Sequence, residues 1–192
     1  MNSFSLESDA TGPNHFRSDL HKIQEKLLKY IHLSPGIRYR ELLRLTNSSN
    51  GVLSYHLGEL ESEKRIAVER KRSVTRYFPI NLDTEVSKII GCIRNPVSRQ
   101  IIDSLLKVES CTFNELTTNT NRAPSTVSWH LQRLTDAGIL KKGTGGISEK
   151  SYPSRFYYIA DKTTIENILS KYVESPVDKL VNDYSDLMDE LS

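Results

Sequence analysis

The heptapeptide Ser54-Tyr-His-Leu-Gly-Glu-Leu60 returns 74 residues later as Ser128-Trp-His-Leu-Gln-Arg-Leu134. The same offset, without a gap, places Glu41-Leu42 on Glu115-Leu116, and apolar residues coincide along both copies. Two copies are fewer than the three or so that a solenoid needs. The repeat therefore predicts two homologous domains in tandem.

Each copy has the pattern of three helices followed by a β-hairpin. In the third helix, apolar residues recur three and four positions apart, which is typical of one buried helix face. These residues are Leu53, Leu57 and Leu60 in the first copy and Val127, Leu131 and Leu134 in the second. A first helix is predicted over residues 19–33, and its second copy starts at Pro96 after an Asn95 cap. Segments rich in Tyr, Phe and Ile after the third helix predict the hairpin.

Three helices and a hairpin, with a tight turn between the last two helices, make the winged helix-turn-helix plan. The predicted fold class is mainly α with small β-hairpins (α+β). It comprises two tandem winged helix-turn-helix domains, residues 19–80 and 95–160, plus C-terminal helices. Residues 1–18 show no pattern and are expected to be disordered.

Two further segments have helical patterns. Residues 81–94 are predicted to form a helical connector, whose apolar stripe is Val86, Ile89, Ile90 and Ile93. Residues 161–192 carry 3 Lys/Arg against 8 Asp/Glu, although the whole chain has a net charge of +2. Asp161 is a predicted cap, and apolar residues recur at 3-4 spacing over 177–191. That last segment fits either a homodimer seam or packing on the chain's own body, and the connector helix is the alternative seam.

Composition excludes several classes of protein. The chain has 192 residues, 37% hydrophobic and 26% charged, as in ordinary globular proteins. It has no apolar run of the ~18 residues needed to span a membrane and no signal peptide at its start. Cys92 and Cys111 lack the paired spacing of a zinc site, and a reducing cytoplasm is expected. No catalytic motif is present, so we expect no enzyme activity, cofactor or metal.

The third helices carry the residue types that a reader of double-stranded DNA needs. Amides pair with adenine, arginine pairs with guanine or phosphate, and short hydroxyl side chains fit near the helix N-terminus. The candidates are Ser48, Ser49, Asn50, Ser54, Tyr55, Ser125, Thr126, Ser128, Trp129, Gln132 and Arg133. The serines and threonines fit helix caps equally well. The two aromatic residues fit either a thymine methyl contact or burial against the hairpin.

The hairpins add basic residues suited to phosphate contact. The candidates are Arg70, Lys71, Arg72 and Arg76 in the first hairpin and Lys141 and Lys142 in the second. A merely solvated hairpin is the alternative. His56 and His130 occupy equivalent positions beside core leucines, and we expect each to make a local hydrogen bond, because neither domain has a ligand cluster at metal spacing.

Two stretches resemble known regulators. Residues 123–140 (APSTVSWHLQRLTDAGIL) resemble the third helix and first wing strand of ArsR/MarR-like regulators. Residues 50–61 (NGVLSYHLGELE) resemble the same segment in archaeal winged-helix regulators. The clustered cysteines of metal-sensing members are absent. The resemblance implies a sequence-specific transcriptional regulator of double-stranded DNA. The alternative is a tandem winged-helix protein scaffold, such as a chromosome-segregation or RNA polymerase-associated subunit.

Overall fold

The computed structural model describes residues 13–71, 74–145 and 154–173, in a mixed α+β fold. The elements of the first half are α1 (Pro13–Leu33), β1 (Ile37–Arg38), α2 (Tyr39–Thr46), α3 (Asn50–Ser62), β2 (Ile66–Lys71) and β3 (Val74–Pro79). Those of the second half are α5 (Pro96–Lys107), β4 (Cys111–Thr112), α6 (Phe113–Thr120), α7 (Pro124–Asp136), β5 (Leu140–Gly145) and β6 (Ser154–Ile159). Helix α4 (Thr84–Ile93) joins the halves, and α8 (Lys162–Tyr172) follows the second.

Each half contains one three-stranded antiparallel sheet. The strand orders are β1-β3-β2 and β4-β6-β5. The short first strand pairs with the last strand in both sheets, through Ile37 opposite Tyr77 and Cys111 opposite Tyr157. The hairpins were expected, but β1 was not, because two residues are too few to show a period.

Helices α4, α5 and α8 each begin at a capping side chain, and two of these caps, Asn95 and Asp161, were predicted. Asp83, Asn95 and Asp161 each accept hydrogen bonds from backbone N–H groups in the first turns of α4, α5 and α8. Such caps satisfy donors that a helix leaves unpaired. The expectation of disorder over residues 1–18 is wrong for 13–18, which belong to α1. The helix starts at Pro13 because proline has no N–H to leave unpaired and its φ suits the first position.

The apolar residues form two cores. In the first, Leu27 and Ile31 of α1 pack with Leu53, Leu57 and Leu60 of α3. The second is larger and extends from Phe78 through α4 to α8. It includes Ile90, Ile93, Ile101, Ile102, Leu131, Leu134, Ile165 and Leu169.

The connector is therefore part of the second core. Ile90 and Ile93 are buried, and Val86 and Ile89 pack against the same cluster. This stripe is therefore largely occupied within the chain, and a dimer seam on the connector helix remains a prediction. The predicted seam at 177–191 lies outside the described residues.

Candidate nucleic-acid interface

Helices α3 and α7 each turn one face to the core and leave the opposite face uncovered. Tyr55 on α3 is 59% exposed and Trp129, its equivalent on α7, is 58% exposed. Ser54 and Ser128, one position earlier, are exposed as well. The two aromatic side chains are thus not buried against the hairpins. We call this pair of surfaces the reading faces of α3 and α7.

The two helices begin differently. Ser49 is the N-cap of α3, and its side chain accepts a hydrogen bond from the Val52 N–H. The N-cap of α7 is Ala123, which offers no side-chain acceptor. Ser125 and Thr126 lie in the first turn after Pro124 and are not caps. The first amides of α7 are therefore free of a side-chain cap at the end of the helix that favours anions.

The polar residues of the α3 face are tied to α2. The Tyr39 hydroxyl donates to the Asn50 carbonyl oxygen at 2.9 Å and lies 2.9 Å from Ser54 Oγ. The equivalent of Tyr39 in the second half is Phe113, which has no hydroxyl. Ser48 is half-buried in the turn before Ser49.

On α7, two of the predicted contacts already have partners within the chain. The Gln132 side chain donates to Asp136 Oδ1 at 2.6 Å and accepts from Lys142 Nζ at 2.9 Å. Arg133 Nη2 donates to the Gly91 carbonyl oxygen of α4 at 3.2 Å. Its guanidinium also lies 5.5 Å from the centre of the Trp129 ring. Arg133 is thus half-buried and joins α7 to the connector, which the sequence did not indicate.

The exposed cations of the first hairpin have acidic neighbours within the chain. Arg70 pairs with Glu61 at the end of α3, with Nη1 2.6 Å from Oε1, and this bond lowers the pKa of the Glu61 carboxyl. Lys71 Nζ lies 2.6 Å from Glu69 Oε1. These two cations of the first hairpin are therefore matched by carboxylates. Arg72 lies outside the described residues.

The second hairpin has a simpler charge pattern. Lys141 and Lys142 are both exposed, and Lys142 bonds the neutral Gln132 amide. The next residue, Gly143, lies under the Phe156 ring. A Cβ at this position would lie 2.2 Å from Phe156 Cζ, so only glycine fits. The close cross-strand contact, and not a turn, explains this glycine.

Arg76 is not a phosphate contact. It is only 7% exposed, and its Nη1 donates to the Gly36 carbonyl oxygen at 2.8 Å. Burial, with Arg38 and Arg94 nearby, lowers the pKa of Arg76 to about 10. The side chain remains charged at neutral pH and stabilises the turn between α1 and β1. The alternation of side chains along a strand does not show that Arg76 has a hydrogen-bond acceptor 40 residues away in the sequence.

The two equivalent histidines have different surroundings. His130 Nδ1 lies 2.9 Å from Ser98 Oγ, as expected for a local hydrogen bond. His56 is 1% exposed, and its Nδ1 has no hydrogen-bond partner among the described residues, so the expectation is wrong there. Burial lowers the pKa of both imidazoles. Across the described ranges, no three His, Cys, Asp or Glu side chains are grouped to hold a metal. Nor is any described helix long and apolar enough to cross a membrane.

Part of the chain is similar to known regulatory proteins. Residues 95–142, from the start of α5 into β5, match the model of the bacterial regulatory protein family named arsR. An uncharacterized HTH-type transcriptional regulator of Methanocaldococcus jannaschii is 25% identical over 127 residues. The match covers 66% of this chain and 32% of that protein, so the chain spans about a third of the relative's length.

Solved structures of regulators share lower similarity. A transcriptional regulator homologue from Pyrococcus horikoshii is 22% identical, covering 54% of this chain and 99% of that one, with a TM-score of 0.39. A homodimeric winged helix-turn-helix DNA-binding domain from Mycobacterium bovis is 21% identical, covering 56% and 84%, with a TM-score of 0.37. The matched family model is described as a bacterial regulatory protein family, and the M. jannaschii relative as an HTH-type transcriptional regulator.

Proposed function

We propose that this chain, whose residues 95–142 match the arsR family model, is a sequence-specific regulator of transcription that binds double-stranded DNA through two tandem winged helix-turn-helix domains. The domains are residues 19–80 and 95–160, joined by the connector helix. The family match covers α5 to β5, and the 74-residue repeat extends the same interpretation to the first half.

The exposure of Tyr55 and Trp129 carries the proposal. A single exposed apolar side chain is ordinary on a protein surface and indicates nothing by itself, whereas a repeated pattern of exposed aromatic residues is informative. Here two of them stand uncovered at equivalent positions on two equivalent helices. Each has an exposed serine beside it, and a helix of this kind fits the major groove. We assign base contact to these two faces, and phosphate contact to the α7 N-terminus, Lys141 and Lys142.

Binding of selected DNA by the Ser128→Ala and Trp129→Ala variants tests the proposal. Both side chains are exposed, so the free energy of unfolding should change by less than about 0.5 kcal/mol. Binding to the preferred sequence should weaken by about 1–3 kcal/mol for Trp129→Ala, while binding to random DNA stays nearly constant. The matched control is Ser170→Ala on α8, away from both reading faces. Unchanged affinity of Trp129→Ala on the preferred sequence would refute the assignment of α7.

A protein scaffold is the second candidate, and one observation favours it for the first half. Helix α3 contains no Lys or Arg, and Arg70 and Lys71 of its hairpin are paired with Glu61 and Glu69. A face of this kind, with Val52 and Tyr55 exposed, also suits a protein partner. Salt dependence separates the two functions, because DNA binding weakens steeply with salt and binding to an apolar face does not.

For assembly, we propose a homodimer formed through residues 177–191. Their apolar residues at 3-4 spacing and their acidic remainder support a helical seam that repels DNA. The DNA site of a dimer would then be a palindrome of asymmetric halves, because the α3 and α7 faces carry different residues.

A further inference from the structure

Arg94, the residue after α4, holds three elements together. Its Nε donates to the Pro35 carbonyl oxygen at 2.6 Å, and its Nη2 donates to Ser34 Oγ at 2.8 Å. The same Nη2 lies 3.2 Å from the Tyr172 carbonyl oxygen at the end of α8. Ser34 and Pro35 belong to the turn after α1, whereas α8 packs in the second core. Arg94 thus joins the first half to the second.

The turn between α1 and β1, which Arg94 contacts, is rigid. Gly36 has a φ of +78°, and a Cβ on it would lie 3.1–3.2 Å from Phe78, Arg94 and Ile90. Its N–H donates to the Tyr77 carbonyl oxygen at 2.8 Å, and its own carbonyl accepts from Arg76. Backbone of this kind, packed on all sides and with its polar groups paired, transmits displacement and does not absorb it.

The other side of α4 is fixed as well. Arg133 on α7 donates to the Gly91 carbonyl oxygen. A Cβ on Gly91 would lie 3.3 Å from Glu69 Oε2 of the first hairpin. Helix α4 therefore lies between the first hairpin and the second reading helix, and its Ile90 and Ile93 are buried. Among the residues that the structure describes between β3 and α7, the connection runs through α4, which is packed against both halves.

We infer that Arg94 is a positioning residue that, together with the packing of α4, sets one fixed spacing between the DNA segments read by α3 and α7. The inference rests on the proposed function. Two modules on a flexible tether bind sites at many spacings, whereas rigidly joined modules gain from the second contact at one spacing only. Each inserted base pair also rotates the second segment by about 34° around the duplex. A rigid chain cannot follow that rotation.

The test measures binding of the full chain to its preferred sequence, obtained by selection from random DNA, and to versions with one or two base pairs inserted between the two protected segments. The wild type should lose at least about tenfold in affinity with either insertion. Arg94→Ala should bind the parent sequence more weakly and lose less than about threefold with an insertion. Arg94→Lys, which reaches one acceptor at a time, should lie between them.

Two further variants keep the result interpretable. Arg99→Ala removes the same charge from a side chain that pairs with Asp103 of its own helix, and it should keep the wild-type spacing dependence. Ser34→Ala removes only one of the hydrogen bonds that Arg94 makes. If circular dichroism shows that Arg94→Ala does not fold, the spacing dependence of Ser34→Ala and Arg94→Lys tests the inference instead.

The outcomes separate the two proposals. No selectable DNA sequence would defeat the proposed function itself. Binding by a wild type that tolerates every spacing, or protection of one segment only, would leave DNA binding intact and overturn the fixed spacing. If the folded Arg94 and Ser34 variants lose as much affinity with an insertion as the wild type does, Arg94 does not set the spacing.

Discussion

Replacing Lys141 and Lys142 by alanine should flatten the salt dependence of DNA binding. Both lysines are exposed on the second hairpin, and neither is paired with a carboxylate among the described residues. Each phosphate contact contributes about 0.9 to the slope of log K against log[salt], so the double variant should lose about 1.8. Between 50 and 200 mM NaCl, the wild type should therefore lose about 12-fold more affinity than the variant.

Alanine substitution of the two cations in the first hairpin should change the salt dependence of DNA binding less. Arg70 and Lys71 each lie against a carboxylate, and contact with phosphate would leave that carboxylate unpaired beside DNA. The slope for Arg70→Ala/Lys71→Ala should therefore change by less than about 0.9. Fluorescence anisotropy at four salt concentrations measures both slopes. Lys88→Ala/Lys107→Ala on α4 and α5 controls for net charge. An undiminished slope for the Lys141/Lys142 variant, or a larger change for the first hairpin, would refute the reasoning.

Three other properties can be measured without DNA. Gly143→Ala should lower the free energy of unfolding by about 1–3 kcal/mol in urea, because the new methyl group meets the Phe156 ring. Since burial lowers the pKa of His56 and His130, the unfolded chain binds protons that the folded chain does not. Stability should therefore fall as the pH drops below about 6.5, by at most about 1.4 kcal/mol per pH unit for each histidine, in urea titrations at pH 7.5 and 5.5. Deleting residues 175–192 should convert a dimer to a monomer by light scattering.

A control or a contradicting outcome can be stated for each of these three predictions. Gly58→Ala is the control for Gly143, because a Cβ there meets nothing within 4 Å and should stabilise α3 by about 1 kcal/mol. The same sign for both glycines would contradict the packing argument. The His56→Gln/His130→Gln variant should lose the acid-dependent decline, and a decline equal to that of the wild type would assign it to other groups. A truncated chain that keeps its dimer mass would exclude the 177–191 seam.

Local signals in the sequence predicted much of the fold. Asn95 followed by Pro96, and Asp161 before an apolar stripe, each specify a helix start within a few residues. The repeat then allowed each half to be checked against the other. The buried stripes of α3 and α7 follow from the 3.6-residue period and needed no tertiary information.

Contacts between distant residues could not be predicted in this way. Arg76 finds its acceptor 40 residues away at Gly36, and Arg94 finds Tyr172 at a separation of 78. A single sequence shows a basic residue on a strand or at a helix end, and either fits solvent or phosphate equally well. Arg94 follows an apolar helix, where cations meet unpaired carbonyl groups, and this position is a signal that could have indicated its structural role.

The hydroxyl group of Tyr39 makes the entropy cost of binding a partner different at α3 and α7. Asn50 and Ser54 are held by it before any partner arrives, whereas Phe113 leaves Ser128 of the second copy without this restraint. Groups ordered in advance lose little entropy on binding, while unrestrained ones adapt to what they meet. One oxygen atom thus lowers the entropy cost of binding at the start of α3, and the α7 face lacks that contribution because Phe113 has no hydroxyl.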